Sequence, residues 1–412
     1  MYKDYLSIMP EMKSGEALNT ALSVVPAYDE SICNENTATR LMALSDLYRI
    51  YIPSPMSLEI YSKLYLALLR SMQKKGTKTS IQQHYENHKR ITGQEYNGIV
   101  GGSDSFTIIG CSGIGKSSAI SRAISLITEN KVIEIEKPYA KVIPCLVVQC
   151  PFDSSVKGLL LEILRKVDEA LETNYYSYSV KSRTSTTDML IGLVSSIALN
   201  HIGILIVDEI QNVVNSKNGK NLVGMLTQLI NNSGISVCMV GTPECTVFFE
   251  QAMQLARRSV GLQYNSLCYD EYFESLCKTV FCYQYVQHKT DISPAIIKWL
   301  YEHSAGVVSV VISLIHDAQE IAILTGKEVL NIETLNMAYK QRLAILHSYI
   351  HTAETKTKTT KPRKKKTVAM CDGLHSDNNG ISIIEMAQQA KANNTDIVAL
   401  MRKYFAVEEV RV

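Results

Sequence analysis

The chain has little of what marks an oxidising or metal-built fold. Its ten cysteines include no C-x-x-C pair and no zinc-finger spacing. Cys145, Cys150 and Cys238 fall inside apolar, strand-like runs, where a thiol serves as a small hydrophobe. A disulfide scaffold is thereby disfavoured, and a reducing, cytoplasmic location is expected. No uninterrupted apolar stretch is long enough to span a bilayer, and the N-terminus shows no signal-peptide pattern, so no membrane partner is expected. Net charge is nearly absent too. The 42 Lys and Arg stand against 40 Asp and Glu, which leaves +2, so any affinity for nucleic acid has to come from local patches. There is no internal repeat. His84 and His88 stand four apart on an expected helix, but no nearby Cys or acid motif completes a metal site, and they read as solvent-facing. What remains is an ordinary apolar share, 46% against 20% charged, enough to build a core across two or three domains in 412 residues.

The most specific stretch is Gly110-Cys111-Ser112-Gly113-Ile114-Gly115-Lys116-Ser117, which fits the P-loop spacing G-x-x-x-x-G-K-[ST]. Apolar Phe106 to Ile109 reads as the strand feeding it, and Ser117 to Ile127 as the helix leaving it. Glycines let the backbone curl so that successive N–H groups face phosphate oxygens, and the helix N-terminus adds its partial positive charge. Gly110 through Ser118 are therefore the expected nucleotide cradle. Lys116 would reach the β- and γ-phosphates, and the Ser117 hydroxyl would ligate Mg²⁺. ATP and Mg²⁺ are the expected cofactors.

A second acidic element follows. The run from His201 to Val207 is almost wholly apolar and ends in Asp208-Glu209, as a buried parallel strand delivering acids at its carboxyl edge would. Asp208 would hold Mg²⁺ through water, and Glu209 would orient or deprotonate the attacking water. A third run, Ile235 to Val240, ends in Gly241-Thr242-Pro243-Glu244. Thr242 there is either a polar sensor of the γ-phosphate or a helix-capping residue. Arg257 and Arg258 would supply an arginine finger to a neighbouring subunit; the alternative is a solvated pair on a helix face.

Five strand-like runs (104–109, 141–150, 202–207, 235–241 and 280–286) recur with helical intervals, which predicts an α/β core: a parallel five-stranded sheet between helices. Residues 1–50 are weakly periodic and read as an N-terminal extension for partner binding. The core with its leading helix is expected over 51–287 and an α-helical lid over 288–350. From Thr355 to Lys366 the chain carries seven basic residues and no acid, so 351–367 is expected to be a flexible linker. The tail 368–412, apolar at Ile383, Ile384, Met386, Ile397, Leu400 and Phe405, reads as short partner-binding helices.

Several stretches together resemble one family. Tyr51-Ile52-Pro53 lies ahead of the core, and Gln149-Cys150-Pro151 is followed by Ser154-Ser155-Val156-Lys157-Gly158. With Asp208-Glu209-Ile210-Gln211, Val240 to Glu244 and Gln254-Leu255-Ala256-Arg257-Arg258, they are similar to TnsC and its TniB relatives, AAA+ ATPase regulators of DNA transposition. The likeness covers about 50–345. It implies an AAA+ P-loop core with a helical lid, an ATPase of slow, assembly-dependent turnover, and a homo-oligomer, ring or filament, on double-stranded target DNA. It implies contact with a target-selector protein and with transposase subunits, and disassembly on hydrolysis. The segment Ser304 to Val310 departs from the wider class, having no Arg to touch the γ-phosphate, which shifts control toward Arg257 and Arg258 in trans.

No motif fixes where DNA would bind. Lys157, Lys181, Arg183, Lys217 and Lys220 are candidates for sequence-independent phosphate contact, each with a solvated surface lysine or arginine as its alternative. Tyr175, Tyr176 and Tyr178 offer stacking or, equally, packing. Two other functions stay open at this level. One is a helicase loader or replication initiator, although the tail is short for a winged-helix domain. The other is a slowly hydrolysing NTPase scaffold in signalling.

Overall fold

Strand β4 (Ile202–Asp208) is buried at every residue except Asp208, so its apolar run is fixed by having helices on both faces. The computed structural model describes residues 9–75, 78–92, 94, 105–128, 132–136, 139–181, 186–214, 216–246 and 261–342. All lie in the first of two compact units, Met1–Lys356 and Thr357–Val412. The basic tract and the tail helices expected beyond it fall outside the described residues.

β4 belongs to a six-stranded sheet with β1 (Phe106–Gly110), β2 (Ile133–Glu136), β3 (Tyr139–Gln149), β5 (Ser236–Gly241) and β6 (Leu262–Tyr264), in the order β2-β3-β4-β5-β1-β6. Five strands are parallel, as expected. β2 adds an antiparallel edge by pairing Ile133 to Val142 and Glu134 to Lys141. In register, Gln149 pairs with Asp208, Ile206 with Cys238, and Ile109 with Gly241, which brings the carboxyl ends of β3, β4, β5 and β1 to one edge.

Four of the five parallel strands lie where the apolar runs placed them. The fifth does not. Residues 280–286 are the end of helix α10 (Glu271–Phe281) and a buried turn, and the fifth parallel strand is β6, three residues that pair Leu262 with Ile108. The aromatic run misleads because Tyr283 and Tyr285 are buried in a helical cluster rather than a sheet. Side chains satisfy their backbone: the Gln319 amide donates to Tyr283 O at 2.9 Å and accepts from Tyr285 N at 2.8 Å.

Helices α1 (Gly15–Leu22), α3 (Pro55–Lys75) and α5 (Lys116–Thr128) cover one face, burying Leu18, Leu64, Leu68 and Ile120 against Ile108, Ile204, Ile206 and Val240. Helices α6 (Val156–Leu171), α8 (Thr187–His201) and α9 (Gly219–Ser233) cover the other, with the short α7 (Tyr175–Lys181) between α6 and α8 in the chain. Their starts carry ordinary caps: the Ser155 hydroxyl accepts from Gly158 N, and that of Thr186 from Met189 N. α3 is pinned at its far end, where the buried Lys75 ammonium donates to Ala198 O and Leu199 O at the carboxyl end of α8. Helix α4 (Lys78–Ile91) then meets α9 through Asn87, whose amide donates to Asn232 O.

A separate apolar cluster forms from α10, α11 (Pro294–Ser304), α12 (Val308–Leu324) and α13 (Ile332–Arg342). This helical layer starts at Glu271, ahead of the boundary at 288 read from the sequence. The segment 1–50 also differs from the extension expected: from Met9 on it is built into both layers. α1 packs on α3 and α5, while Leu44 and Leu47, with α2 (Thr37–Ala43) just before them, join the lid cluster. Among the described residues no single helix is long and apolar enough to cross a membrane.

The tie between α2 and the lid is an ion pair out of water. Arg40 donates to both carboxylate oxygens of Glu328, at 2.6 and 2.9 Å, with side-chain exposures of 4% and 13%. The Arg40 hydrogen bond holds the Glu328 carboxyl below its ordinary value of 4.5, against the opposing effect of burial. Removing one partner strands the other charge, so Glu328→Ala should cost about 3–5 kcal/mol. The folded-state value is depressed, so this contribution is present above pH 4.5 and is lost as the pH falls through the lower folded value. Urea midpoints of parent and variant should therefore differ widely at pH 7 and converge in acid.

Candidate active site

The carboxyl edge of the sheet holds a cleft of about 290 Å³ where the ends of β1, β4 and β5 meet. Its walls include Gly113, Gly115, Lys116, Ser117 and Ser118 from the P-loop and α5, with Asp208, Glu209, Gln211 and Thr242 opposite. β5 lies between β1 and β4, so this is where the sheet changes winding direction, the position at which open α/β sheets bind ligands.

The loop after β1 turns through two left-handed glycines, Gly113 at φ +81° and Gly115 at φ +97°, before α5 begins at Lys116. Ile114 is buried beneath it and Ser112 is exposed, while Cys111 is half-buried. Lys116 Nζ donates to Gly110 O at 2.6 Å and to Cys111 O at 2.8 Å, curling the side chain back over the loop. Burial holds this ammonium below its ordinary range, with the Asp208 carboxylate pulling the other way. A cation in that condition gains by meeting an anion.

The acids arrive as the spacing required. Ser117 Oγ lies 3.4 Å from Asp208 Oδ2, so a hydroxyl and a carboxylate face each other across the cleft. Two hard oxygen donors this close together on the wall of an open cleft fit neighbouring positions around Mg²⁺. Asp208 Oδ1 accepts the backbone N–H of Glu209, which turns the chain into the left-handed region at Glu209, φ +58°. The turn sets the Glu209 carboxylate, exposed, on the cleft wall. Thr242 lines the cleft as well. Its hydroxyl makes no helix-capping hydrogen bond and instead lies 3.4 Å from Glu244 Oε2, while its carbonyl accepts from the Cys245 thiol. Burial pushes that thiol up to about 11, so it stays protonated.

Besides Gly241, two polar residues line the cleft that the motifs do not assign to it. Gln211 Nε2 donates to Glu209 Oε2, and its own Oε1 is buried without a hydrogen-bond partner. The signal was the Asp-Glu-Ile-Gln run itself, in which a residue two positions past the acid returns to the same wall. Ser309 comes from the lid: its N–H donates to Gly113 O at 3.1 Å, and it lines the cleft near the P-loop. Nothing in a Ser-Val-containing stretch without Arg marks this in advance. The left-handed pair Ala305-Gly306, φ +51° and +74°, is what aims the start of α12 at the P-loop.

Arg257 and Arg258 lie outside the described residues, as does Arg183. Lys157, Lys181, Lys217 and Lys220 are exposed and none lines the cleft. Tyr175 and Tyr176 are half-buried against the core, their N–H groups donating to the Asp168 carboxylate, whereas Tyr178 is 74% exposed.

The P-loop on β1, the acids on β4 and the polar residue after β5, with a helical lid against the loop, define a P-loop NTPase core of the AAA+ type. Residues 102–264 match the family model described as "Bacterial TniB protein", which bears out over that segment the resemblance read from the motifs. No curated protein sequence matches the chain. Solved structures with similar folds include the Aeropyrum pernix ORC1 protein in complex with DNA (13% identity, 64% of this chain and 65% of that one, TM-score 0.41). Others are the ADP form of the Aeropyrum pernix ORC2 protein (15%, 65% and 69%, TM-score 0.40) and Drosophila ORC bound to DNA (12%, 97% and 83%, TM-score 0.44). The chain spans just under two thirds of the first of these. Such identities and scores are too low to bear on function.

Gly113 tests the join of loop and lid. A Cβ there would meet Ser309 Oγ and stand 2.9 Å from Val307 Cγ1, at a backbone angle that disfavours side chains. Gly113→Ala should lose about 1–3 kcal/mol of stability and weaken nucleotide binding as the lid is displaced. Gly224→Ala on α9, where a Cβ meets nothing within 4 Å, should instead gain up to about 1 kcal/mol. Thermal unfolding and nucleotide titration of both variants check this.

Proposed function

We propose that the protein is an ATP-dependent regulator of transposition that oligomerises on double-stranded DNA with ATP bound, connects a target selector to transposase subunits, and disassembles on hydrolysis. The observation that carries this reading is the convergence of Lys116, Ser117, Asp208, Glu209 and Thr242 on one cleft, in a segment that matches the TniB family model.

In this reading the loop N–H groups and Lys116 bind the triphosphate, and Lys116 exchanges its carbonyl partners for phosphate oxygens. Ser117 and Asp208 hold Mg²⁺, which supplies charge neutralisation at the phosphates. Glu209 accepts the proton of the attacking water as its oxygen bonds to the γ-phosphorus, and ADP leaves. Thr242 positions that water or the γ-phosphate. Two features support slow turnover: the Glu209 carboxylate is engaged by the Gln211 amide, and the lid brings Ser309 rather than a cation. Arg257 or Arg258 of a neighbouring subunit completes the charge at the γ-phosphate, so the assembled form is the hydrolysing one. Lys157, Lys181, Arg183, Lys217 and Lys220 supply phosphate contacts, and the tail 368–412, tethered by 351–367, meets a protein partner.

Lys116→Ala should abolish ATP-dependent assembly on a duplex. Glu209→Gln should bind ATP, hydrolyse it at least about 100-fold more slowly and hold the DNA-bound assembly after free nucleotide is removed. Electron microscopy and a dissociation time course on labelled duplex read both. An E209Q assembly that falls apart as fast as the parent's ends the switch reading.

A further inference from the structure

We infer that the loop after β3 presents Phe152 as an apolar wedge to duplex DNA, seated between lysines that hold the phosphates. The inference rests on the DNA-associated reading above and names a contact that reading lacks.

Phe152 is 90% exposed, the highest value among the described large apolar side chains. A ring that protrudes from a mobile loop would mean little, but this loop is built. Cys150 N donates to Asp208 O at 2.8 Å, and the Asn212 amide donates to Cys150 O at 2.9 Å. The Asp153 carbonyl accepts from the Ser216 hydroxyl at 2.7 Å and from the Asn218 amide at 3.2 Å. The Asp153 carboxylate accepts from Ser155 N, and Ser154 is wholly buried in the left-handed region, φ +52°. Backbone strain held by so many hydrogen bonds fixes Phe152 in water at a cost in solvation. A partner that covers the ring recovers that cost.

The surroundings select the partner. The grip of Ser216 and Asn218 on Asp153 sets Lys217 beside the loop, Lys220 follows within the first turn of α9, and Lys157 lies in the first turn of α6 just past the loop. All three are exposed and have no acidic partner among the described residues. Asp153 is the acid of the loop, and its carboxylate is occupied. A protein-docking surface would continue the apolar area around the ring; here the other exposed residues of the loop and of the 216–220 segment that grips it are Asp153, Lys157, Lys217, Asn218 and Lys220. A single ring with three unpaired lysines on and beside its loop matches a polyanion with an apolar interior, in which lysines position the backbone and the ring enters a base step.

Full-length protein with a non-hydrolysable ATP analogue, titrated into labelled duplex from 50 to 200 mM salt, separates the two contributions. Phe152→Ala should weaken binding about tenfold or more at every salt concentration without changing the salt slope, while Lys217→Ala should reduce the slope by about one unit. Phe152→Leu, still an apolar wedge, should keep most of the affinity. 2-Aminopurine in the duplex should brighten on binding of the parent, and Phe152→Ala should lose that signal. If the parent binds with the expected salt slope and Phe152→Ala is indistinguishable from it, the wedge is wrong and the DNA reading survives. A parent that binds no duplex overturns the DNA reading itself. If Phe152→Ala loses self-association in the absence of DNA, measured by sedimentation, the ring meets a second copy and the inference falls.

Discussion

The constraint on which everything else depends is that β1, β4 and β5 are apolar on both faces and stop at one level. Full burial fixes their register, because sliding β4 by one residue toward its amino end would draw the Asp208 carboxylate to the level of Val207, which has no solvent exposure. Asp208 and Glu209 then have no choice of position: they begin where burial ends. The same register places Gly241 beside Ile109, and the P-loop and Thr242 leave the sheet together. Chemistry at this edge is a consequence of packing several residues deeper.

A second constraint makes the cleft sensitive to what lies around it. The lid reaches the P-loop through one backbone hydrogen bond, Ser309 to Gly113, in a space that a methyl group would overfill. The lid is in turn tied to the N-terminal segment by Arg40 and Glu328, and by the Tyr28 hydroxyl donating to Gln284 O at 2.6 Å. α1 of that same segment lies on α5, the helix that leaves the P-loop. Residues 9–50 thus touch both the lid and the core that border the cleft, and any rearrangement of the lid has to move against them.

Legibility in the sequence followed the strength of local signals. Gly110 to Ser117 and Asp208-Glu209 combine a fixed spacing with a buried strand, so both the residues and their meeting place could be read. Thr242 can be placed from the sequence but its role as cap or sensor cannot, since both need a polar residue after β5; the structure shows no capping bond from its hydroxyl. β6 leaves no trace in the sequence because three residues are too few to show periodicity, and 280–286 resembles a strand because Tyr, Val and Phe suit a buried turn as well as a strand. The N-terminal segment was misjudged for a similar reason. Its helices are seven or eight residues long with 3-10 turns between them, and their burial comes from distant partners. Gln211 is reachable through its place two residues past Glu209, whereas Ser309 depends on tertiary placement alone, and no spacing rule reaches it.

The loop that carries Phe152 and the acids of β4 are not independent structures. Cys150 donates its N–H to the carbonyl of Asp208, and Asn212, one residue past Gln211, closes back on Cys150. The peptide that sets the Phe152 loop is therefore hydrogen-bonded to the peptide that sets Glu209, on adjacent strands already locked in register by Gln149 and Asp208. Gln211 sits between these anchors with one amide atom on Glu209 and the other buried without a partner, a costly arrangement that a small shift of the 210–212 turn would relieve. A polyanion seated on the loop would pull on Asp153 and Cys150, and through Asn212 on that turn. Two hydrogen bonds thus span the distance from the Phe152 loop to the turn that carries Glu209 and Gln211.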